Sequence, residues 1–243
     1  MAERITLTGM VIKAVPVGEY DKRIVLLTLE RGKVTAFARG ARRPKGTMVA
    51  AANLFCFGRF EAYEGRDSYT VVKAEISNYF REFGTELELN YYGCYCLEVA
   101  DYFCAEADPG CSNVLRLLYR TLQALLAGQV DLKLIRGIYE LKMLVFNGTC
   151  PDFFSCGTCG KHERLIRFDL SRHSMICADC VADRRGIAID AATLYALQFI
   201  VASPVEKLYT FRLKEEVQTA LLSIIRRLFQ SAVDRPLTTE QFL

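Results

Sequence analysis

Histidine is scarce in this chain: 243 residues contain two, His162 and His173. That removes the commonest general base from almost the whole sequence, and no nucleophile–base pair is evident elsewhere. Neither G-x-x-x-x-G-K-[ST] nor G-x-G-x-x-G occurs, so both signature phosphate-cradling loops are missing. Long apolar runs are missing too. The least polar stretch, about residues 191–202, is too short to cross a bilayer. The opening Met1-Ala2-Glu3-Arg4-Ile5-Thr6 lacks the apolar core of a secretory signal. There is no long internal repeat and no low-complexity linker. With 51% hydrophobic and 24% charged residues, the composition is ordinary for a globular chain. The absences predict a soluble cytoplasmic protein without a catalytic constellation.

Cysteine, by contrast, is plentiful, with ten residues. Without an export signal these read as reduced thiols and a metal site. Cys156-x2-Cys159 and Cys177-x2-Cys180 are separated by 17 residues, a spacing at which two tight turns close around one tetrahedral zinc. Four thiolates leave no coordination position open, which predicts one structural Zn2+ and not a catalytic one. A nucleobase deaminase would need H-x-E and P-C-x-x-C; here His162 and Glu163 are adjacent and Ile176 precedes Cys177. Pro151, Gly157 and Gly160 are turn formers, which argues against a thioredoxin-like redox pair. His162 or His173 could replace one cysteine, since mixed sites are common. Cys94, Cys96, Cys104 and Cys111 read as small core residues.

Net charge is only +3, but it is unevenly spread. Residues 1–80 hold 13 Lys/Arg against 8 Asp/Glu, residues 81–149 hold 6 against 9, and residues 150–243 hold 12 against 11. The basic excess sits in the first third, where a polyanion would bind. That third reads as five short strands, near residues 5–11, 23–29, 34–39, 53–63 and 69–76, with a helical turn at 47–52 after the third. This is the pattern of an OB-fold barrel, although periodicity alone also permits an SH3-like one.

After residue 80 the apolar period lengthens to about 3.6. Tyr92, Cys96, Val99 and Phe103 share one helical face, as do Leu115, Leu118, Leu122 and Leu125, and Leu134, Ile138, Leu141 and Val145. Pro109-Gly110 and Gly128 punctuate them, and two more amphipathic helices follow the cysteines. The expected fold is α+β: an OB-fold nucleic-acid-binding domain over residues 1–80, then an all-α domain over 81–243 with a four-cysteine zinc knuckle at about 150–185.

The densest cationic run is Arg39-Gly40-Ala41-Arg42-Arg43-Pro44-Lys45-Gly46. Arginine forks and glycine-exposed backbone suit phosphate. In the preceding strand, alternation puts Lys33, Thr35, Phe37 and Arg39 on one face. An aromatic among cations is what a single-stranded nucleic-acid groove needs, since bases stack while phosphates are neutralised. Lys33, Phe37, Arg39, Arg42, Arg43 and Lys45 are therefore the candidate binding residues; the plainer reading keeps Phe37 in the core and the charges in solvent. Phe55, Phe57, Arg59 and Tyr63 could extend the platform.

Four segments in order carry a family likeness. They are the strand pair Gly9-Met10-Val11-Ile12 and Asp21-Lys22-Arg23-Ile24-Val25, the run from Phe37 to Lys45, Tyr139-Glu140-Leu141-Lys142-Met143-Leu144, and the two cysteine pairs. Together the chain resembles the bacterial RecO family of recombination mediators. The resemblance implies a non-enzymatic DNA-repair factor in the bacterial cytoplasm, associated with the nucleoid during repair. It implies binding of single- and double-stranded DNA through the barrel and annealing of complementary strands. It also implies partnership with RecR, help for RecA on DNA coated with single-stranded DNA-binding protein, and docking of that protein's C-terminal tail on the helical domain. Arg116, Arg120 and Arg136 are candidates for the dock. The alternatives are a zinc-ribbon RNA-binding or transcription accessory protein, and a scaffold whose barrel contacts only protein.

Overall fold

The computed structural model describes residues 3–108, 110–181 and 186–243. They fall into two compact units, one running to Leu126 and joined by Leu237–Leu243, the other Ala127–Pro236. Pro109, expected to break the helices, lies outside the described residues.

The first unit begins with β1 (Arg4–Val17), β2 (Asp21–Thr28) and β3 (Gly32–Ala38), then the single-turn helix α1 (Met48–Ala51), β4 (Phe57–Glu64) and β5 (Tyr69–Asn78). They close into a barrel in the order β1-β2-β3-β5-β4, with only β3 and β5 parallel. This is the OB-fold arrangement, helix insertion after β3 included. Period-two alternation drives it: Val34, Ala36 and Ala38 point inward with Ile24, Leu26, Phe60, Ala62 and Val71, while Lys33, Thr35 and Phe37 point outward. Closing five strands requires sharp bending where β1 meets both neighbours. Gly9 and Gly58 are directly paired there, and a Cβ on either would collide with backbone, with the Leu27 carbonyl in one case and that of Glu75 in the other.

Two strand boundaries differ from expectation by more than two residues. β1 continues past Val11 to Val17, because a bulge between Val11 and Lys13 re-registers it against β2. β4 starts at Phe57, since residues 53–56 form a turn in which Phe55 takes a φ of 69° and its N–H donates to the Val11 carbonyl. Phe55 is thereby buried and stacks on Phe83 with centroids 4.8 Å apart, so it does not join the outer platform. Phe57 packs on Tyr119. The unit is completed by α2 (Leu87–Phe103) and α3 (Cys111–Ala127). Tyr92, Cys96, Val99 and the four predicted leucines of α3 are buried, as are Cys104 and Cys111.

The second unit contains α4 (Leu132–Phe146), β6 (Asp152–Cys156), β7 (Leu165–Asp169), β8 (Ser174–Cys177), β9 (Ile187–Ala188), α5 (Ala191–Ala202) and α6 (Glu215–Ala232). Asp131 and Asp190 cap α4 and α5 with their carboxylates. The region read from sequence only as a knuckle loop also holds a sheet in the order β6-β8-β7-β9. Its strands are five residues or shorter, too brief for alternation to announce them. Among the described residues no helix is long and apolar enough to cross a membrane.

Candidate nucleic-acid interface and metal centre

The cationic segment is a built loop. Ala41 is buried against the barrel core, and Met48 behind it anchors α1. The Gly40 N–H donates to the Asp21 carboxylate at 2.8 Å, the Arg42 N–H to the Tyr20 carbonyl at 2.8 Å, and the Gly46 N–H to the Arg43 carbonyl at 2.9 Å. With the backbone held, Arg39, Arg42, Arg43 and Lys45 are all exposed. None of these four pairs with a carboxylate among the described residues. The Arg42 guanidinium donates to the Gly18 carbonyl at 3.1 Å, and that of Arg43 lies over the Tyr20 ring, 5.2 Å from its centroid. Both contacts orient a guanidinium without neutralising it, leaving the remaining donors for an anion.

Phe37 is half-buried on the outer face of β3. Its cross-strand partners are Arg23 on β2 and Thr70 on β5. Arg23 is exposed and was not singled out from sequence; alternation along Asp21–Thr28, with the register set by the short turn before β3, contains the signal. Tyr20 was missed as well, for it lies in the β1–β2 turn and meets Arg43 only in three dimensions. Lys33 shares the face but is committed: its ammonium contacts the Asp101 carboxylate at 3.1 Å and donates to the Asp101 carbonyl at 2.7 Å. Tyr63 and Arg59 are exposed on β4. Of the suggested docking residues, Arg136 pairs with Glu140 at 2.7 Å, Arg120 reaches Gln123 at 3.1 Å, and Arg116 is exposed.

The four cysteines of the two pairs come together. Their Sγ atoms all lie within 4.8 Å of one another, and those of Cys159 and Cys177 are 3.6 Å apart. A tetrahedral site with metal–sulfur bonds of about 2.3 Å has sulfur–sulfur edges of about 3.8 Å, so the cluster is already of the right size. Topology explains the convergence: β6 and β8 run parallel, and each ends in the first cysteine of a pair, so both turns leave the same end of the sheet. The turns are closed by the Gly160 N–H donating to the Cys156 carbonyl and the Cys180 N–H to that of Cys177. The Cys177 N–H also points at the Cys156 sulfur at 3.4 Å.

Desolvation pushes the Cys156 thiol up, yet N–H donors from Cys177, Thr158 and Cys159 outweigh it and draw the pKa down to about 6. Cys180, hydrogen-bonded to Cys159 and Cys177, is pushed up to about 12. Cys156 is thus drawn toward the thiolate while Cys180 is held in the thiol form; a divalent cation is what lets all four ionise. His162 and His173 stand outside the cluster, His162 having its Nδ1 2.9 Å from the Phe154 carbonyl. The donor set is therefore sulfur alone and closed to substrate.

Comparison with known proteins agrees with both halves. Residues 1–80 match the family model for the recombination protein O N terminal, and residues 84–241 that for the recombination protein O C terminal. A DNA repair protein RecO of Desulforamulus reducens is 28% identical over 240 residues, covering 98% of this chain and 93% of the relative. The DNA repair protein RecO of Acetivibrio thermocellus is 28% identical over 239 residues, covering 97% and 94%. That of Halalkalibacterium halodurans is 27% identical over 236 residues, covering 97% and 92%. With the barrel, the helical part and the cysteine cluster all in the order these models span, the chain belongs to the RecO family of DNA repair proteins.

Proposed function

We propose that this protein is a recombination mediator that binds single- and double-stranded DNA through the barrel, residues 1–80, and anneals complementary strands. Phosphates are taken by Arg39, Arg42, Arg43 and Lys45, and bases stack on Phe37, while Lys33, expected among the binding residues, is held by Asp101. The observation that carries the reading is a loop of four exposed cations, none of which pairs with a carboxylate among the described residues. Each phosphate neutralised releases counterions, so binding is strongly salt-dependent and weakly sequence-dependent. A cationic surface that holds two strands at once lowers their mutual repulsion, which is the physical basis of annealing.

In this reading the helical part, residues 81–243 with the knuckle at about 150–185, is the protein-contacting half. It meets RecR and the C-terminal tail of single-stranded DNA-binding protein, and RecA is helped indirectly onto coated DNA. One Zn2+ on Cys156, Cys159, Cys177 and Cys180 braces that half and takes no part in any reaction. The protein works without catalysis, in the bacterial cytoplasm and at the nucleoid during repair.

The test is strand annealing on DNA coated with single-stranded DNA-binding protein, comparing the parent with Arg42→Ala/Arg43→Ala. Loss of annealing and a shallower salt dependence by about two charges support the reading. Unchanged affinity and salt slope overturn it for this loop, and tighter binding of RNA than DNA in competition would favour an RNA-binding role.

A further inference from the structure

The outer face of β3 is not open along its whole length. β5 pairs with β3 only at Ala36, Phe37 and Ala38, which leaves the half of that edge at residues 32–35 without a strand partner. The segment following α2 fills it. Glu106 forms an isolated parallel bridge with Lys33, and the Ala107 N–H donates to the Lys33 carbonyl at 3.0 Å. The Thr35 hydroxyl donates to the Glu106 carboxylate at 3.3 Å. Gly32 makes the approach possible: its φ is 62°, and a Cβ there would collide with the Asp108 carbonyl.

This plug is acidic. Asp101, in the last turn of α2, holds Lys33 at 3.1 Å and also reaches Lys13 at 3.8 Å. Glu106 and Asp108 follow on the exposed stretch. The outer row of β3 therefore carries two opposite environments. Phe37 and Arg39 lead into a run of cations that form no ion pair among the described residues, whereas Lys33 and Thr35 are met by carboxylates.

We infer that the segment 101–108 is an electrostatic boundary that ends the nucleic-acid track on the barrel. Its carboxylates occupy, as internal counter-anions, the places that phosphates would take beside Lys33 and Thr35. This rests on the proposed use of the barrel for DNA. A strand entering along the loop 39–45 runs across the pair of Arg23 and Phe37 and is turned away from the Lys33 end by repulsion from Asp101, Glu106 and Asp108. The boundary restricts the number of nucleotides bound and keeps the affinity below what the cations of the face could give.

The experiment is anisotropy titration of the full chain against oligothymidylates of increasing length over a salt series. The variants are Glu106→Gln, Asp101→Asn, Asp101→Asn/Lys33→Met and Arg42→Ala/Arg43→Ala. Glu106→Gln and Asp101→Asn are expected to bind about five- to tenfold tighter at low salt, and the salt slope of Asp101→Asn to steepen by about one as Lys33 becomes available. Adding Lys33→Met should abolish the Asp101→Asn gain, which a merely structural role of Asp101 would not produce. Glu106 is exposed and leaves Lys33 paired when neutralised, so Glu106→Gln tests the idea even if Asp101→Asn folds poorly. Parent-like affinity and site length in both neutralised variants overturn the boundary. If Arg42→Ala/Arg43→Ala weakens binding in the same series, the barrel reading survives that failure; if it too is parent-like, both fall.

Discussion

Arg23 on β2 and Phe37 on β3 are direct cross-strand partners on the outside of the barrel, an exposed cation beside a half-buried ring. The pair separates the two components of single-strand binding. Base stacking on an aromatic is worth about 1–3 kcal/mol, so Phe37→Ala should weaken single-stranded DNA binding by roughly five- to a hundredfold on that scale, with the salt slope unchanged. Arg23→Ala should reduce the slope by about one and weaken all sequences alike. Equilibrium titrations with oligothymidylate between low and moderate salt check both. Parent-like affinity in Phe37→Ala would assign the ring to packing alone.

The cysteine cluster predicts one zinc per chain in protein purified without chelator, measured by elemental analysis. Cys177→Ser removes a ligand at the junction of β8 and its turn, next to the Cys159 sulfur. Metal content and melting temperature should fall together, because ligand binding and local folding are linked. DNA binding by the barrel should persist in the stripped protein if the metal only braces the helical half. Retention of full stability without metal would sink the structural role.

Most of this architecture was legible in short-range pattern. The two cysteine spacings named the cluster, since a C-x2-C turn is local and its ligands are chemically distinctive. The barrel was legible because β3 alternates cleanly, Val34, Ala36 and Ala38 in and Lys33, Thr35 and Phe37 out. What escaped was pairing between distant segments. No local rule links Lys33 to Asp101, 68 residues on, or Tyr20 to Arg43. The same holds for Phe55, a strand residue by its pattern, which a positive φ turns inward onto Phe83.

Lys142 illustrates a motif whose reason is long-range. Recognised in sequence only as part of the run 139–144, it is 5% exposed. Its ammonium donates to the carbonyls of Ile200, Val201 and Ser203 at 3.3, 2.8 and 2.8 Å, serving as a cation at the C-terminal end of α5. Desolvation holds its pKa below the usual lysine value. Lys142→Met keeps the volume but strands those acceptors, and should cost about 3 kcal/mol, on the scale of lost charge-assisted hydrogen bonds and unsatisfied buried carbonyls. Denaturant unfolding measures it; a change below about 0.5 kcal/mol, ordinary for a surface substitution, would show that water replaces the ammonium.

A last prediction concerns pH. Glu98 on α2 accepts from the Thr238 N–H at 2.9 Å and hydroxyl at 2.8 Å, and from the Thr239 N–H at 2.8 Å and its hydroxyl, while Phe242 stacks on Tyr91 with centroids 5.2 Å apart. Desolvation raises the Glu98 pKa, but these four donors outweigh it and hold the carboxyl below its ordinary value. A carboxylate with a folded pKa below its unfolded one binds fewer protons when folded. Its contribution is therefore complete above the unfolded glutamate range, about 4.3, and is lost as pH falls through the depressed folded value. The segment Leu237–Leu243 should stay clasped at neutral pH and loosen on acidification below that range. Glu98→Gln, which keeps one acceptor oxygen and no charge, should raise amide exchange at Thr238 and Thr239 at pH 7 by about tenfold or more, the size of losing charged acceptors. Exchange in Glu98→Gln as slow as in the parent would mean that the stacking of Phe242 on Tyr91, and not the carboxylate, holds the segment down.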